Sequence, residues 1–311
     1  MFEKHLYGRI LVPMVTPFAD DQTVDYEAAA AIAQKLVRDN NADSIILSGT
    51  TGEFHTLTYA ERVKLFGVVR DAVGEDIPLI AGTGCASTRE TVALTQKAHA
   101  MGYKLVMVVA PYYAKPNQTE LLAHFRAAAA AADVSVMLYN IPIFTGVNLE
   151  PDTVAALAEV PNIVGIKEEA ELNPKQITAY LNATPEDFVV YCGDDTMVLE
   201  AFAQGGRDRI GGIVSGASHL IGCQLREMIE RFLAGDVDAA AALQRRYYRL
   251  FRIMGQNQRT NPVALIKEAM KMLGYPAGVP RLPLSPGSDP EKCRVREMLS
   301  ELGLVDSDGK K

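Results

Sequence analysis

The chain has 311 residues, 48% of them hydrophobic, and a formal net charge of −7. This acidic balance disfavours nucleic acid or an anionic membrane surface as the main partner, although a small anionic substrate can still meet a locally positive pocket. Four scattered cysteines, without a Cys-x-x-Cys pair or a His/Cys cluster, indicate neither a zinc site nor a disulfide framework. The N-terminus has no apolar signal core, and no apolar run approaches the roughly 20 residues that span a bilayer, so we predict a cytoplasmic protein that binds neither nucleic acid nor membrane.

Short β-branched runs alternate with longer helical stretches along most of the chain. Asp25 is a predicted helix N-cap, and capping boxes are predicted at Thr58–Glu61 and Ser87–Glu90. The predicted strands lie at residues 9–15, 44–47, 78–81, 104–109, 134–139, 163–166, 188–191 and 212–215. The predicted helices between them lie at 25–38, 58–73, 87–100, 118–132, 151–159, 174–183 and 197–204.

This alternation predicts an α/β fold, a (β/α)₈ barrel closed by eight parallel strands. A doubly wound dinucleotide-binding sheet is disfavoured, because Thr16-Pro-Phe18 stands where a Gly-x-Gly-x-x-Gly turn would follow the first strand. Further helices are predicted at 223–234, 236–254, 262–273 and 292–302, which is more than an eighth helix requires. We therefore predict a barrel over 1–222 that carries the active site and a C-terminal helical extension over 223–311 packed on it.

A lysine stands at the end of the sixth predicted strand. Ile163-Val-Gly-Ile166 is apolar without alternation, as in a buried parallel strand, and Lys167 follows it directly. A solvated lysine is the ordinary interpretation of such a residue. The alternative is a catalytic amine, since a partly buried lysine has its charged form desolvated, its pKa falls, and the neutral amine can attack a carbonyl.

Active sites of such barrels lie at the carboxyl ends of the strands, where this chain gathers hydroxyls, phenols and one lysine. These strand-end residues include no histidine triad and no metal-ligand set. They fit carbonyl chemistry through an imine, with a tyrosine and a threonine relaying protons. A Gly-Thr-Thr-Gly turn opening a helix N-terminus would hold a substrate carboxylate. Alone, that turn could be an ordinary connection and Tyr139 a rim aromatic, but the Thr-Thr, Tyr-Tyr, Tyr and Lys residues at successive strand ends together favour a site. For Asp195 we predict a helix cap. The segments concerned are Thr16-Pro17, Gly49–Glu53, Gly82–Gly84, Pro111–Pro116, Tyr139–Pro142, Lys167-Glu168, Gly193–Asp195 and Ser215-Gly216.

Across nearly its whole length the chain resembles the dihydrodipicolinate synthase / N-acetylneuraminate lyase superfamily of pyruvate-type class I aldolases. The motifs are specific to this superfamily, though not to one activity within it. They imply a (β/α)₈ barrel with a C-terminal helical part that uses neither a metal nor an organic cofactor. The resemblance rests on Gly49-Thr-Thr-Gly-Glu53, Ala81-Gly-Thr-Gly84, Pro111-Tyr-Tyr113, Tyr139-Asn-Ile-Pro142, Gly165-Ile-Lys-Glu168, Gly193-Asp-Asp195 and Asn261-Pro-Val263.

The resemblance also implies residue roles. Lys167 is similar to the Schiff-base lysine, Tyr139 to the tyrosine that relays protons at the imine, and Thr50 to the hydroxyl that links this tyrosine to a second one. Tyr113 resembles that second tyrosine, which reaches the site from a neighbouring subunit, so the resemblance implies a homo-oligomer, a dimer or a dimer-of-dimers tetramer. The implied substrate-binding groups are Thr51 with the backbone amides from Gly49 onward, and Val214, through its backbone carbonyl.

One departure leaves the second substrate open. Dihydrodipicolinate synthases carry an arginine after their Tyr-Asn-x-Pro motif that binds the aldehyde's carboxylate, and Phe144 stands at that position here. A phenyl ring cannot pair with a carboxylate, so either another cation such as Arg259 replaces the arginine, or the acceptor is a different one. Two enzymatic hypotheses follow. One is a synthase acting on pyruvate or a pyruvate adduct; the other is an aldolase or hydratase-aldolase for another 2-keto acid, similar to N-acetylneuraminate lyases or 2-keto-3-deoxy acid aldolases. A keto-acid sensor or scaffold without turnover is the third.

Overall fold

The computed structural model describes residues 7–170, 175–254 and 259–306. Over these ranges, eight parallel strands follow one another in chain order around a closed barrel, which confirms the predicted (β/α)₈ fold. The strands are β1 (Ile10–Pro13), β2 (Ser44–Leu47), β3 (Leu79–Gly82), β4 (Leu105–Val109), β5 (Ser135–Asn140), β6 (Ile163–Glu168), β7 (Val189–Cys192) and β8 (Ile210–Val214).

Helices connect successive strands and continue after the last one, as predicted. A short helix after β5 and single 3₁₀ turns at Phe54–Thr56 and Asp195–Met197 were not predicted. The predicted helix start at Pro174 lies outside the described residues. The helices are α1 (Tyr26–Arg38), α2 (Tyr59–Val73), α3 (Thr88–Ala100), α4 (Gln118–Ala129), α5 (Pro142–Thr145), α6 (Pro151–Ala158), α7 (Lys175–Ala183), α8 (Val198–Arg209), α9 (Ser218–Leu233), α10 (Val237–Met254), α11 (Val263–Met272) and α12 (Asp289–Glu301).

Two of the predicted helix caps are confirmed. The Asp25 side chain accepts a hydrogen bond from the Ala28 N–H at 2.9 Å. Thr58 and Glu61 form a reciprocal capping box, which satisfies two backbone donors at the start of α2. Local side-chain chemistry therefore sets where these helices begin.

Two other cap predictions are wrong. Ser87 precedes α3, but its side chain makes no capping hydrogen bond. After β7 the capping residue is Asp194 and not Asp195, because Oδ1 of Asp194 accepts from the Thr196 N–H at 2.8 Å. A sequence pattern names residues able to cap, whereas the backbone path decides which one reaches the helix end.

The chain forms two compact units. One contains Leu79–Val214 together with the described residues up to Arg9, and its parallel sheet extends from β3 to β8. All five residues of β4 are buried, as expected for a strand of a parallel sheet covered on both faces.

The second unit contains Ile10–Pro78 and the described residues from Ser215 onward. Here β1 pairs with β2, and the C-terminal helices α9 to α12 pack against one another. The division into a barrel over 1–222 and an extension over 223–311 stays a prediction. In the part of the chain that the structure describes, no helix is both long and apolar enough to cross a membrane.

Candidate active site

Lys167 lies inside β6 and not beyond its end. The strand continues through Glu168, and Lys167 pairs in register with Tyr139 of β5 and Tyr191 of β7. Lys167 is 5% exposed and Tyr139 is 1% exposed. A lysine so deeply buried needs a specific partner, because an isolated ammonium is costly to remove from water.

That partner is Glu169, a residue that the sequence reasoning overlooked. Its Oε2 lies 2.6 Å from the Lys167 Nζ and accepts a hydrogen bond from the Tyr139 hydroxyl at 3.2 Å. The ammonium also lies 4.0 Å from the centroid of the Tyr139 ring. Since side chains alternate along a strand, residues 167 and 169 share one face and Glu168 takes the other, a signal that was present in the sequence.

The prediction that the pKa of Lys167 falls is wrong in sign. Burial does disfavour the ammonium, but the Glu169 carboxylate, together with Tyr139, outweighs it and raises the pKa of Lys167. Burial in turn raises the pKa of Glu169 despite the stabilising lysine charge, and the nearby Asp194 acts in the same direction. In the resting site the lysine is therefore protonated, and the adjacent carboxylate is a stronger base than an ordinary glutamate.

Glu168 anchors the opposite face of β6. Its carboxylate accepts hydrogen bonds from the Asn140 amide at 2.9 Å, the Gln176 amide at 3.0 Å and the Ala170 N–H at 2.9 Å. Burial raises the pKa of Glu168 to about 7 in spite of these donors. These bonds hold the strand in one orientation, so Lys167 and Glu169 remain on the same side of it.

A glycine directly after β7 leaves room for the Lys167–Glu169 pair. A methyl group at Gly193 would lie 2.8 Å from Cε of Lys167 and 2.9 Å from Oε2 of Glu169. The Gly193 N–H donates to the Glu168 carbonyl at 2.8 Å, which continues the ladder between β6 and β7. A glycine is thus required here for close packing against the Lys167–Glu169 pair.

Three further predicted residues lie in the same unit. Val214 is the buried last residue of β8. Phe144 lies in α5, directly after β5, and is half-buried. Tyr113 is 95% exposed and has a φ of 72°, so its phenol projects away from the protomer's core.

The Gly-Thr-Thr-Gly-Glu turn lies in the second unit and is held from three sides. The Arg62 guanidinium donates to the Ser48 hydroxyl at 2.7 Å, and the Thr16 hydroxyl donates to the Gly52 carbonyl at 2.7 Å. Glu53 is fully buried and paired with a lysine from α11. The glutamate of the motif therefore fixes the turn that carries the two threonines.

The expectation that this turn opens an α-helix is wrong, because a 3₁₀ turn and two extended residues, Leu57 and Thr58, separate it from α2. The N–H groups of Glu53 and Phe54 are bonded to the carbonyls of Thr50 and Gly49 within the turn itself. Thr50 and Thr51 are half-buried. A carboxylate site at this turn would therefore depend on the threonine N–H and hydroxyl groups, without the N-terminus of a long helix.

The arrangement around Lys167 can support amine chemistry. It combines a nucleophile, an adjacent carboxylate and a phenol within hydrogen-bonding distance of that carboxylate. Among the described residues, no group of three or more His, Cys, Asp or Glu side chains could hold a metal ion. Fold and site together define a (β/α)₈-barrel enzyme of the class I lyase type.

The chain belongs to the dihydrodipicolinate synthetase family, whose model matches residues 6–302. The 4-hydroxy-tetrahydrodipicolinate synthase of Moorella thermoacetica is 44% identical over 299 residues, which cover 96% of this chain and 99% of that protein. The synthase of the same name from Synechococcus elongatus is 43% identical over 305 residues, with coverage of 98% and 99%. The crystal structure of DHDPS from Cyanidioschyzon merolae with lysine bound has a TM-score of 0.91 at 40% identity, covering 97% of this chain and 100% of that one.

Proposed function

We propose that this protein condenses pyruvate, held as an imine on Lys167, with an aldehyde, as 4-hydroxy-tetrahydrodipicolinate synthases do. The observation that carries the proposal is the buried contact of the Lys167 amine with Glu169 and the Tyr139 ring. It occurs in a chain that is 44% identical to a synthase of that name. A protonated imine is an electron sink, which allows the neighbouring carbon to lose a proton and attack the aldehyde.

The proposed roles follow the family resemblance. Tyr139 relays protons at the imine, with Thr50 linking it to Tyr113. Thr51 and the turn amides from Gly49 onward hold the keto-acid carboxylate. The Val214 carbonyl faces the substrate. The hydrogen bond from Tyr139 to the carboxylate beside Lys167 supports its role.

A homo-oligomer belongs to the same proposal. In it, Tyr113 completes the proton relay of a second copy, in a dimer or a dimer of dimers. The 95% exposure of this large aromatic supports the idea, because an isolated protomer leaves its ring uncovered. The cytoplasmic location also stays part of the proposal.

A second candidate function rests on Phe144. The half-buried ring offers an apolar wall in α5, directly after β5, where the synthases place a carboxylate-binding arginine. Arg259 makes a two-pronged bond to Glu291, at 2.8 Å for both Nε and Nη2, so its guanidinium is already engaged. An aldolase or hydratase-aldolase for another 2-keto acid, with an apolar acceptor, would suit this wall.

Lys115 provides the route by which the synthase activity could survive without the arginine. A side chain at Gly146 would meet Cε of Lys115 at 2.9 Å, so the lysine stem packs against the end of α5, the short helix that carries Phe144. Its ammonium could pair with an aldehyde's carboxylate as a point charge. Lys115→Ala then distinguishes the candidates: only a synthase that relies on this lysine loses turnover of the carboxylated aldehyde selectively.

The first test of the proposed function is covalent trapping. Sodium borohydride with pyruvate should add a reduced three-carbon unit to Lys167, located by peptide mass spectrometry. Lys167→Ala should take up no adduct at this position and lose turnover. Modification only at other lysines would disprove the assignment. An adduct without turnover of any aldehyde in a panel would favour the keto-acid sensor.

A further inference from the structure

Glu169 contributes a buried carboxylate to a site whose other predicted groups are an amine, phenols and hydroxyls. Its Oε2 contacts the nitrogen that would react, at 2.6 Å from Lys167 Nζ, and also the Tyr139 hydroxyl, at 3.2 Å. Its backbone N–H bonds to the Asn140 carbonyl at 3.0 Å, which extends the ladder between β5 and β6 by one residue beyond β6. The carboxylate is thus held by the sheet itself.

A purely structural ion pair accounts poorly for this position. Buried ion pairs recover little more than their desolvation cost, and apolar residues of similar size often stabilise a fold as well. The strand is already oriented by Glu168, which has three hydrogen-bond donors on the opposite face. Glu169 faces the two groups of the proposed reaction, and Gly193 leaves room for it there.

We propose that Glu169 is a further catalytic residue, the acid–base group that carries the protons of imine formation at Lys167. The inference rests on the proposed function, since it requires Lys167 to be the imine-forming amine. Glu169 is not among the lysine, tyrosine and threonine residues whose roles the resemblance implies.

The steps balance without an external acid or base. Glu169 takes a proton from the Lys167 ammonium, and the neutral amine attacks the keto carbon, whose C=O electron pair moves onto oxygen. The Glu169 acid then protonates that oxygen and, as a carboxylate again, removes one proton from the substituted nitrogen. The C–O bond breaks as the nitrogen lone pair forms C=N, and the leaving hydroxyl takes the proton from Glu169 to leave as water.

Glu169 ends as it began, a carboxylate beside a cation. Ammonium plus ketone has become iminium plus water, so the buried pair keeps its net charge throughout and no charge is left uncompensated. Within the same unit, the other titratable groups close to the pair are Tyr139, Asp194 and Cys192. Burial raises the pKa of the Cys192 thiol, which leaves it neutral, and the Asp194 charge favours proton uptake by Glu169.

The test measures the rate of imine formation directly. Enzyme and pyruvate are mixed, quenched with borohydride at increasing times, and the adduct is quantified by intact mass. We expect Glu169→Gln to slow this step by about 10²–10⁴-fold, the range for loss of a positioned acid–base group. Glu159→Gln is the control, a change at an exposed glutamate directly after α6 in the same unit, and it should form the imine at close to the wild-type rate.

A second variant separates chemistry from folding. Glu169→Ala leaves space beside Lys167, so added formate should accelerate imine formation in proportion to its concentration, with no acceleration in the wild type or in Glu159→Gln. Circular dichroism and thermal unfolding establish that each variant is folded. A structural role would give a slow variant that formate does not rescue.

The outcomes distinguish this inference from the proposed function. If wild-type Lys167 is trapped and Glu169→Gln forms the imine at an unimpaired rate, the role of Glu169 is overturned while the imine chemistry stands. The role is also overturned if Glu169→Gln forms the imine slowly but formate does not accelerate imine formation in Glu169→Ala. No adduct on wild-type Lys167 would overturn both.

Discussion

Lys267 of α11 and Glu53 of the Gly-Thr-Thr-Gly-Glu turn form an ion pair of 2.5 Å in which neither side chain has any exposed surface. The Lys267 ammonium also donates to the carbonyls of Thr16 at 2.7 Å and Val279 at 2.8 Å. Burial lowers the pKa of Lys267 to about 8, and it also raises the pKa of Glu53 although the lysine charge opposes this. The C-terminal helices of this unit are thereby tied to the turn that carries Thr50 and Thr51.

The first prediction is that breaking this pair destabilises the protein strongly. Lys267→Met leaves the Glu53 charge buried without its partner, so the free energy of unfolding should fall by about 3–5 kcal/mol. Lys267→Met combined with Glu53→Gln should cost less than the sum of the two single changes. The measurement is urea unfolding followed by circular dichroism.

The control for that experiment is the exposed Arg231–Glu227 pair, whose side chains are 44% and 47% exposed. Arg231→Met should shift the urea midpoint far less than Lys267→Met does. Equal urea midpoints for Lys267→Met and the wild type would show that the buried pair contributes no net stability.

The second prediction concerns the proton relay. Tyr139→Phe keeps the ring beside Lys167 but removes the hydroxyl that donates to Glu169. Tyr139→Phe and Thr50→Val should each lower kcat by about 10²–10⁴-fold. Borohydride trapping should still find a slowly formed imine. Unchanged turnover in both variants would disprove the relay.

The third prediction is that Tyr113 acts in a neighbouring copy. Tyr113→Phe and Lys167→Ala chains, each inactive alone, should regain part of the activity when they are mixed. A hybrid pair then contains one site with both groups intact. Native mass spectrometry shows whether hybrids form. If they form and stay inactive, Tyr113 does not act across an interface.

The fourth prediction tests the second candidate function, in which Phe144 turns the acceptor site away from aspartate semialdehyde, the carboxylated aldehyde of the synthase reaction. A charge-assisted pair is worth about 1.5–3 kcal/mol, or roughly 10–150-fold in affinity. Phe144→Arg should therefore raise the ratio of kcat/KM for the semialdehyde to that for an apolar aldehyde. A wild-type kcat/KM of about 10⁴ M⁻¹s⁻¹ or more for the semialdehyde would instead favour the synthase reaction.

The fifth prediction is a loss of stability in acid that depends on His219. Its Nε2 accepts from the Val15 N–H at 3.2 Å, so the proton is on Nδ1, which bonds to the Gly216 carbonyl at 2.8 Å. Burial lowers the pKa of His219 from 6.5 to about 4. The unfolded chain then binds the proton more tightly than the folded one, so this contribution is complete above pH 6.5 and declines as the pH falls toward 4.

The slope attributable to this histidine is at most about 1.4 kcal/mol per pH unit in that window. His219→Gln can still accept from Val15 but cannot take up a proton. Unfolding free energies measured from pH 7.5 to 4.5 should therefore decline less steeply in the variant. Parallel curves would mean that His219 does not titrate between the two states. His124, whose pKa burial also lowers to about 4, contributes in the same direction and remains in both proteins.

The amino-acid sequence by itself determined the barrel, most element positions and the residues that follow each strand. Apolar strand runs and the caps at Asp25 and Thr58 act over a few residues, so they can be recognised without the fold. The alternation of side chains along a strand likewise puts Glu169 on the face of Lys167. Only the tertiary structure decided that the pKa of Lys167 rises, since its sign depends on whether burial or a carboxylate at 2.6 Å prevails. It alone paired Glu53 with Lys267, 214 residues away, because contacts between distant segments form only once the chain has folded.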